Sequence, residues 1–474
     1  MLDTATMLAN ADQACLVAAA GYGKTEEIVR AVALNSNSCQ LVLTHTHAGV
    51  RSLRSRFKSL GVASHLYHLD TIAGWALRCA SGYPTLSGLP DLYPTGDAWK
   101  DVYHAASNLL QRPFFQRVLL ASYSGVYVDE YQDCVVSQHK LVLALAELLP
   151  CRILCDPLQG IFDFQKDDPV VSWSKDIKPN FYVLPELTIP WRWAKGNRQL
   201  GSWLSNFRQA LLHGESIDIS YGPIKWLTAT PEHQWSECMK LANSDLDSVV
   251  AIHPDQNKPA KVHNFTRNLK GLYTSMEEME CRDLLKWSQK IDDARGPERA
   301  KAIIDFAGMC MTKVSTELSS IYKQFSSGKI PKISGYKKHL EICQALIDIA
   351  SKEDFSSVLT ALGLISQIDG RVLFRRELWY EMSRSIKTYQ TGGFESLHDA
   401  AWHIRNQARV FGRKVEQRIV SRTLLIKGLE FDHIVVLNAD QLNLKNLYVA
   451  MTRGSKSLTV LSERPTIMRD PFVE

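Results

Sequence analysis

The sequence lacks the segments that would mark a membrane or secreted protein. No apolar run approaches the roughly 18 to 20 residues of a membrane span. Near the N-terminus, Asp3 and Asp12 stand where a signal peptide would carry basic residues. We therefore expect a cytoplasmic protein that has no membrane partner.

Cysteine is present, but not in the spacing of a metal site or a disulfide framework. The ten cysteines are scattered along the chain. Cys151 and Cys155 are close together, yet they lack metal-ligand spacing and a second pair that would complete a site. We therefore expect reduced thiols, partly buried. Internal repeats and low-complexity segments are absent as well.

A strong excess of one charge is also missing. Lys and Arg number 55 and Asp and Glu 50, for a net charge of +5, which permits a nucleic-acid groove without requiring one. Hydrophobic residues at 45% and charged residues at 22% exclude a disordered, collagen-like or coiled-coil chain. The 474 residues predict about three domains, or one large fold with insertions.

The chain does contain an alternation of apolar strand patterns and helical patterns. The first set of predicted strands is CLVAAA (15–20), QLVLTHT (40–46), GVYVDEYQD (125–133) and RILCD (152–156). The second set is SVVAIHP (248–254), DHIVVLNAD (432–440) and SLTVLS (457–462). Strands that alternate with helices predict parallel sheets with ligands at the carboxyl ends of the strands. We predict an α/β fold of two domains, the second interrupted by a mostly helical insertion.

A phosphate-binding loop follows the first predicted strand. The loop reads AAAGYGKT, and the residues expected to bind nucleotide are Gly21, Tyr22, Gly23, Lys24 and Thr25. Glycines let backbone N–H groups close on the phosphates, the lysine reaches the β and γ phosphates, and the threonine hydroxyl binds Mg²⁺. Ala18 replaces the first glycine of the general pattern. The alternative is a chance GxGKT in a loop, but the flanking strand and helix favour a nucleotide site.

Two adjacent acids close a later apolar strand. Asp129 suits a Mg²⁺ ligand, and Glu130 suits the group that orients or deprotonates the attacking water. Two acids after a strand could also form a solvated turn. The phosphate-binding loop upstream favours the catalytic interpretation.

Six motifs in order resemble the UvrD/Rep/PcrA-like branch of superfamily 1 helicases. They are LTHTHAGVRSLRSRF, DEYQD, CDPLQGIFDF, LTIPWRW, KGLEFDHIVV and NLYVAMTRG, and they lie within roughly residues 15–260 and 415–462. The resemblance implies two RecA-like P-loop NTPase domains with parallel sheets. We expect the first domain over 1–190 with a small insertion at about 80–120, the second over 191–264 and 416–474, and a helical accessory insertion over 265–415.

The resemblance also implies roles for residues outside the phosphate loop. Gln132 and Gln159 match glutamines that link the γ-phosphate to the DNA site. Arg192 and Arg453 match arginines that reach the γ-phosphate from the second domain, and surface salt bridging is the alternative for both. Glu430 matches an acid that contacts the nucleotide sugar. Tyr448 lies in the last motif.

The DNA contacts are likewise implied by the family's motifs. The residues at those positions are Thr44, His45, Thr46, Phe162 and Phe164. Stacking on an aromatic ring suits any base sequence, although core packing explains the spacing of the two phenylalanines equally well. The glutamine motif that reads adenine in the family is not found, so the base is not assigned.

We expect a DNA-stimulated ATPase that moves 3′→5′ on single-stranded or tailed DNA as a translocase or helicase, with ATP and Mg²⁺, in DNA repair or antiphage defence. The short chain and trimmed insertions also resemble the helicase-like subunit of the Gabija antiphage system, which works with an OLD-type nuclease. The alternative is therefore a nucleotide-gated regulatory subunit that binds DNA and controls a partner nuclease, with little processive unwinding. A P-loop kinase or transport ATPase predicts none of the later motifs.

Overall fold

The structure is a computed structural model that describes residues 3–35, 38–91, 94, 98–161, 167–242, 247–278, 281–352, 355–411, 415–468 and 470. It confirms the predicted fold class: two RecA-like P-loop NTPase domains are each built on a six-stranded parallel sheet. Among these residues, no helix has the length and apolar character needed to cross a bilayer.

The first sheet collects the strands of the N-terminal part of the chain. They are β1 Gln13–Val17, β2 Gln40–Thr44, β3 Tyr67–Thr71, β4 Gly125–Val128, β5 Cys151–Cys155 and β6 Tyr182–Leu184. Their order is β3-β2-β4-β5-β1-β6, and all neighbours are parallel. Strand β5 therefore separates β1, which leads into the phosphate loop, from β4, which leads into the acids. The carboxyl ends of all three strands meet at one edge.

Helices cover both faces of this sheet, which explains why strands such as β2 and β5 are buried throughout. The helices are α1 Thr4–Asn10, α2 Lys24–Leu34, α3 His47–Ser59, α4 Ile72–Gly82, α5 Pro84–Ser87, α6 Trp99–Leu110, α7 Pro113–Ser122 and α8 Val136–Ala146. Helix α3 buries Val50, Leu53 and Phe57 at helical spacing. Helices α4 to α7 lie between β3 and β4, where the sequence predicts a small insertion.

The second sheet uses strands from two distant parts of the chain. An antiparallel pair, β7 Ile217–Asp218 with β14 Thr466–Ile467, lies beside it. The sheet strands are β8 Lys225–Thr228, β9 Val249–Ile252, β10 Thr274–Ser275, β11 Arg418–Ser421, β12 Phe431–Val436 and β13 Gly454–Ser462. Their order is β10-β11-β9-β12-β13-β8. Helices packed around it are α9 Trp191–Ala194, α10 Arg198–His213, α11 Pro231–Leu241 and α12 Pro259–Arg267.

The predicted helical insertion leaves this sheet after β10 and returns at β11, its parallel neighbour. Its helices are α13 Arg282–Asp293, α14 Gly296–Cys310, α15 Val314–Glu317, α16 Ser319–Ser326, α17 Leu340–Ser351, α18 Ser356–Ile365, α19 Arg376–Tyr389 and α20 Leu397–Phe411. They bury a hydrophobic core of their own that includes Phe306, Leu346 and Met382. After the insertion, α21 Thr423–Ile426 and α22 Leu444–Met451 complete the second domain.

A buried ion pair between Arg375 and Glu277 fastens the insertion to the second sheet. Arg375 donates from Nε and Nη2 to Glu277 at 2.8 and 2.6 Å, and from Nη2 to Asp283 at 2.7 Å. Glu277, Asp283 and His263 bring potential metal-ligating atoms within 4.8 Å of one another. Because the guanidinium of Arg375 already hydrogen-bonds both acids, we interpret this cluster as a structural junction.

Candidate nucleotide and nucleic-acid site

The phosphate loop turns sharply between β1 and α2. Gly21 and Gly23 have φ values of 77° and 93°, which favour glycine. A Cβ atom on Gly21 would also lie 2.8 Å from the Cβ atom of Arg192. The buried Lys24 Nζ donates to the carbonyl oxygen of Ala18 at 2.8 Å, so the lysine bridges the two ends of the loop.

Thr25 and Asp129 meet at the carboxyl edge of the first sheet. The Thr25 hydroxyl donates to Asp129 Oδ2 at 3.4 Å. Burial and the neighbouring Glu130 raise the pKa of Asp129 to about 7, although Lys24 opposes the shift. A buried carboxylate beside a hydroxyl is a hard oxygen donor pair, and its charge lacks full compensation. These two residues therefore fit a Mg²⁺ ion.

Glu130 has a strained backbone at the same edge. Its φ is 54°, in the left-handed region, and such strain clusters at functional sites. Its backbone N–H donates to Asp129 Oδ1 at 2.9 Å, and Gln132 Nε2 donates to its carboxylate. Burial acts to raise the pKa of Glu130, but Lys24 and Lys427 hold it below its ordinary value. The side chain is therefore ionised at neutral pH and can accept a hydrogen bond from a water molecule.

Arg192 joins the phosphate loop to the second domain. Its backbone N–H donates to the carbonyl oxygen of Gly21 at 3.0 Å. Its guanidinium donates to the carbonyl oxygen of Thr452 and to Glu430 Oε1, both at 2.5 Å. Arg192 thus forms the salt bridge that sequence reasoning offered as an alternative, but it does so beside the phosphate loop. Glu430, the expected sugar contact, is its partner.

Arg453 is 2% exposed and lies deeper in the same interface. Its Nη2 donates to Gln159 Oε1 at 3.2 Å, and its Nε donates to the carbonyl oxygen of Val449 at 3.0 Å. Burial and the nearby Arg192 lower the pKa of Arg453 to about 10. Arg453 and Arg192 therefore place two guanidinium groups in one interface, and guanidinium groups pair well with phosphate oxygens.

The two glutamines reach the same acid, Asp156. Gln132 Oε1 accepts from the backbone N–H of Asp156 at 3.0 Å, while Gln159 Nε2 donates to Asp156 Oδ2 at 2.8 Å. Gln132 therefore connects Glu130 to Asp156, and Gln159 connects Arg453 to it. The sequence placed both glutamines in motifs but offered no reason to single out Asp156.

Lys427 and Asp133 were not among the predicted site residues, although both lie in matched motifs: Lys427 in KGLEF and Asp133 in DEYQD. Lys427 Nζ contacts both oxygens of Asp133 and the carbonyl oxygen of Gln159, all at 2.5 Å. Both side chains are almost completely buried. Burial raises the pKa of Asp133 to about 7, although Lys427 opposes the shift. This ion pair joins the two domains.

Trp191 begins α9, next to the phosphate loop. Its side chain is 59% exposed, and its Cδ1 atom would lie 3.2 Å from a Cβ atom on Gly23. By contrast, the neighbouring Trp193 is buried in the core, and Tyr22 of the loop is buried as well. Trp191 therefore presents an indole ring to solvent next to the phosphate loop.

The expected DNA contacts do not form one exposed surface. Thr44 is buried, with its side chain against Gly49. Thr46 is exposed and caps α3 by accepting from Gly49 N–H at 3.1 Å. Burial, aided by Lys427, lowers the pKa of His45 to about 4. Phe162 and Phe164 lie outside the described residues, so their role stays a prediction.

No family model matches the sequence, and no curated protein matches it. Among solved structures, the chain is similar to the crystal structure of Bacteroides sp Pif1 in complex with ADP-AlF4. The alignment has 13% identity and a TM-score of 0.30 and covers 56% of this chain. It covers 55% of the Pif1 chain, about half of that protein's length.

Proposed function

We propose that this protein is a DNA-stimulated ATPase that translocates 3′→5′ on single-stranded DNA. One observation carries the proposal: Lys24, Asp129 and Glu130 from the first domain lie in the same interface as Arg192 and Arg453 from the second. A loop that binds phosphate, a pair of acids and two arginines from a facing domain are the parts that phosphoryl transfer requires.

Each of these residues has its own role in hydrolysis. The loop amides and Lys24 bind the β and γ phosphates. Thr25 and Asp129 hold Mg²⁺, which when bound supplies positive charge to the phosphates. Glu130 orients the attacking water and takes its proton, and Gln132 holds that carboxylate in place. Arg192 and Arg453 stabilise charge on the transferring phosphoryl group, because guanidinium groups pair well with phosphate oxygens.

Trp191 can bind the base of the nucleotide. An exposed indole ring beside the phosphate loop can stack on a purine or a pyrimidine. Since stacking distinguishes bases weakly, we propose that ATP is preferred over GTP and CTP by only a small factor. Glu430 would contact the sugar after it leaves Arg192.

Movement on DNA rests on the resemblance and on the arrangement of domains. We propose the domain limits predicted from the sequence, with the second domain continuing through β10 (Thr274–Ser275), which belongs to its sheet. Nucleotide would bind between the two sheets, and Thr46, Phe162 and Phe164 would contact DNA. Opening and closing of the interface during the nucleotide cycle would then move the protein along the DNA strand in steps. Roles in DNA repair or antiphage defence both fit such a motor.

One observation favours the alternative, a nucleotide-gated subunit that controls a partner nuclease. One buried ion pair, Lys427–Asp133, connects the domains. A protein whose domains are held together in this way can signal nucleotide binding to a partner by rearranging this contact. Such a protein would hydrolyse ATP slowly, and DNA would change the rate little.

Steady-state hydrolysis of ATP, GTP and CTP with and without single-stranded DNA separates the two functions. A motor shows a large increase in rate with DNA, whereas a gated subunit shows slow turnover that DNA does not change. Trp191→Ala should raise the KM for all three nucleotides alike. Trp402→Ala, at a partly exposed tryptophan of the helical insertion, is the matched control. No hydrolysis of any nucleotide by the wild-type protein would refute the proposed function.

A further inference from the structure

A single buried carboxylate connects three parts of the candidate site. Asp156 follows β5 and is completely buried. Its Oδ2 atom accepts from Gln159 Nε2 at 2.8 Å and from the Tyr448 hydroxyl at 3.1 Å. Arg208 Nη2 on α10 lies 3.6 Å from Oδ1 and supplies the opposite charge. A buried carboxylate with such partners is held in one position, because losing a hydrogen bond leaves a buried oxygen unsatisfied and losing Arg208 leaves its charge uncompensated.

Tyr448 carries this connection to the phosphate loop. It lies on α22 in the second domain and is 1% exposed. Its hydroxyl oxygen accepts from the backbone N–H of Ala20 at 3.1 Å. A phenol has one proton and two lone pairs, so it can donate to Asp156 and accept from Ala20 at the same time. Burial, together with Asp156, raises the pKa of Tyr448 well above its ordinary value, so the hydroxyl keeps its proton.

The hydrogen bonds form a continuous path across the domain interface. From Ala20 the path runs through Tyr448 and Asp156 to Gln159, and Gln159 accepts from Arg453. The loop that binds phosphates and an arginine that stabilises them are therefore positioned by one set of buried contacts. A shift of the loop relative to the second domain must break one of these bonds.

We propose that Tyr448 is a positioning residue: its hydroxyl fixes the Ala20 amide of the phosphate loop and, through Asp156 and Gln159, aligns the loop with Arg453. The inference rests on the proposed function, since it assigns a further residue to that same site. The ring of Tyr448 belongs to the hydrophobic core, whereas its hydroxyl serves hydrolysis.

Tyr448→Phe tests the hydroxyl and leaves the ring in place. We expect kcat for DNA-stimulated ATP hydrolysis to fall about 10- to 100-fold, because a buried acceptor and donor lose their partner. The KM for ATP should change by a smaller factor, since Lys24 and the rest of the loop are unaltered. Rates are normalised to the number of active sites, measured by stoichiometric binding of a fluorescent ATP analogue.

Tyr273→Phe is the matched control. Tyr273 is completely buried in the second domain, and its hydroxyl donates to the carbonyl oxygen of Cys238 at 2.8 Å, away from the nucleotide site. Both variants should have similar melting temperatures, but only Tyr448→Phe should lose kcat. Equal kcat in both variants and in the wild-type protein would overturn the inference while leaving the proposed function intact.

A double-variant cycle separates positioning from a general loss of stability. Gln159→Ala removes the link between Asp156 and Arg453 at the other end of the path. If Tyr448 acts through Asp156 and Gln159, the double variant should lose little more activity than the more damaged single variant. Losses that simply multiply would show that Tyr448 acts independently and would overturn the inference. A wild-type protein without ATPase activity would refute the proposed function, and this inference with it.

Discussion

Lys427 reaches from the second domain into the first, where its Nζ lies 2.5 Å from both carboxylate oxygens of Asp133. Both side chains are buried, so each charge depends on the other for compensation. The pair connects the DEYQD segment, which carries Asp129 and Glu130, to the KGLEF segment, which carries Glu430. The relative position of the two domains is therefore linked to the ionisation of this pair.

Lys427→Met should destabilise the protein strongly, by about 3 to 5 kcal/mol, because removal of one partner leaves Asp133 buried without compensation. The double variant Lys427→Met/Asp133→Leu should recover much of that loss. Chemical unfolding monitored by circular dichroism measures both. The loss in the single variant should also shrink as the pH falls and Asp133 becomes protonated. A single variant as stable as the wild-type protein would show that the pair contributes nothing.

Asp129 should make stability depend on pH. Its pKa is raised from an ordinary value of 3.8 to about 7 by burial. From about pH 4 to about pH 7 the folded state therefore binds more protons than the unfolded state, and stability falls as the pH rises through this range. Relative to Asp129→Asn, the wild-type melting temperature should be lower at about pH 8 than at about pH 5.5. Mg²⁺ with ATP should reverse the difference, because a bound cation compensates the carboxylate. Parallel pH profiles of the two proteins would contradict the raised pKa.

Lys24→Ala and Glu130→Gln should both abolish turnover, but by different routes. Lys24→Ala removes the positive charge that binds the β and γ phosphates, so nucleotide binding or chemistry should suffer directly. Glu130→Gln keeps the shape of the site and should retain bound ATP without cleaving it. Equilibrium binding of a fluorescent ATP analogue and single-turnover hydrolysis distinguish the two. Lys329→Ala, at an exposed position in the helical insertion, is the control for Lys24→Ala. Near-normal turnover in either site variant would refute the assignment of the site.

The alternation of strand and helix patterns was sufficient to predict the α/β fold class and its two parallel sheets. These features are local, because alternation and helical spacing are visible within short segments. The residue pairs that hold the site together are not visible within short segments of sequence. Lys427 and Asp133 are 294 positions apart, and Tyr448 and Ala20 are 428 apart. Which lysine meets which acid depends on how the two domains pack, and no local pattern contains that information.

Arg192→Lys and Arg453→Lys should cut hydrolysis by orders of magnitude while nucleotide binding persists. Lysine keeps the charge but loses the planar fork that pairs with phosphate oxygens, and arginines that act from a facing domain contribute roughly 10³- to 10⁵-fold to such reactions. Because Arg453 is buried, lysine disturbs the core less than alanine would. Thermal melts run beside the kinetics identify a purely structural effect, and the exposed Arg117→Lys is the control. A variant that unfolds, with normal activity in its folded fraction, would support simple salt bridging.

The isolated protein should translocate on DNA but unwind duplex poorly. Opening a duplex needs a motor and also a surface that splits the strands, and between β3 and β4 the described chain has short helices in place of a full accessory domain. Thr44 is buried rather than exposed to a strand, so the contacts that would hold DNA against the motor are reduced and are screened further at physiological salt. A partner that binds DNA could restore duplex opening by raising the effective concentration of the motor on its strand.

A fluorescent strand-displacement assay on a duplex with a 3′ tail measures unwinding, with protein alone at a concentration that saturates the ATPase. A duplex with a 5′ tail is the control for direction. Efficient displacement of long duplexes without a partner would show that the reduced insertion does not limit unwinding.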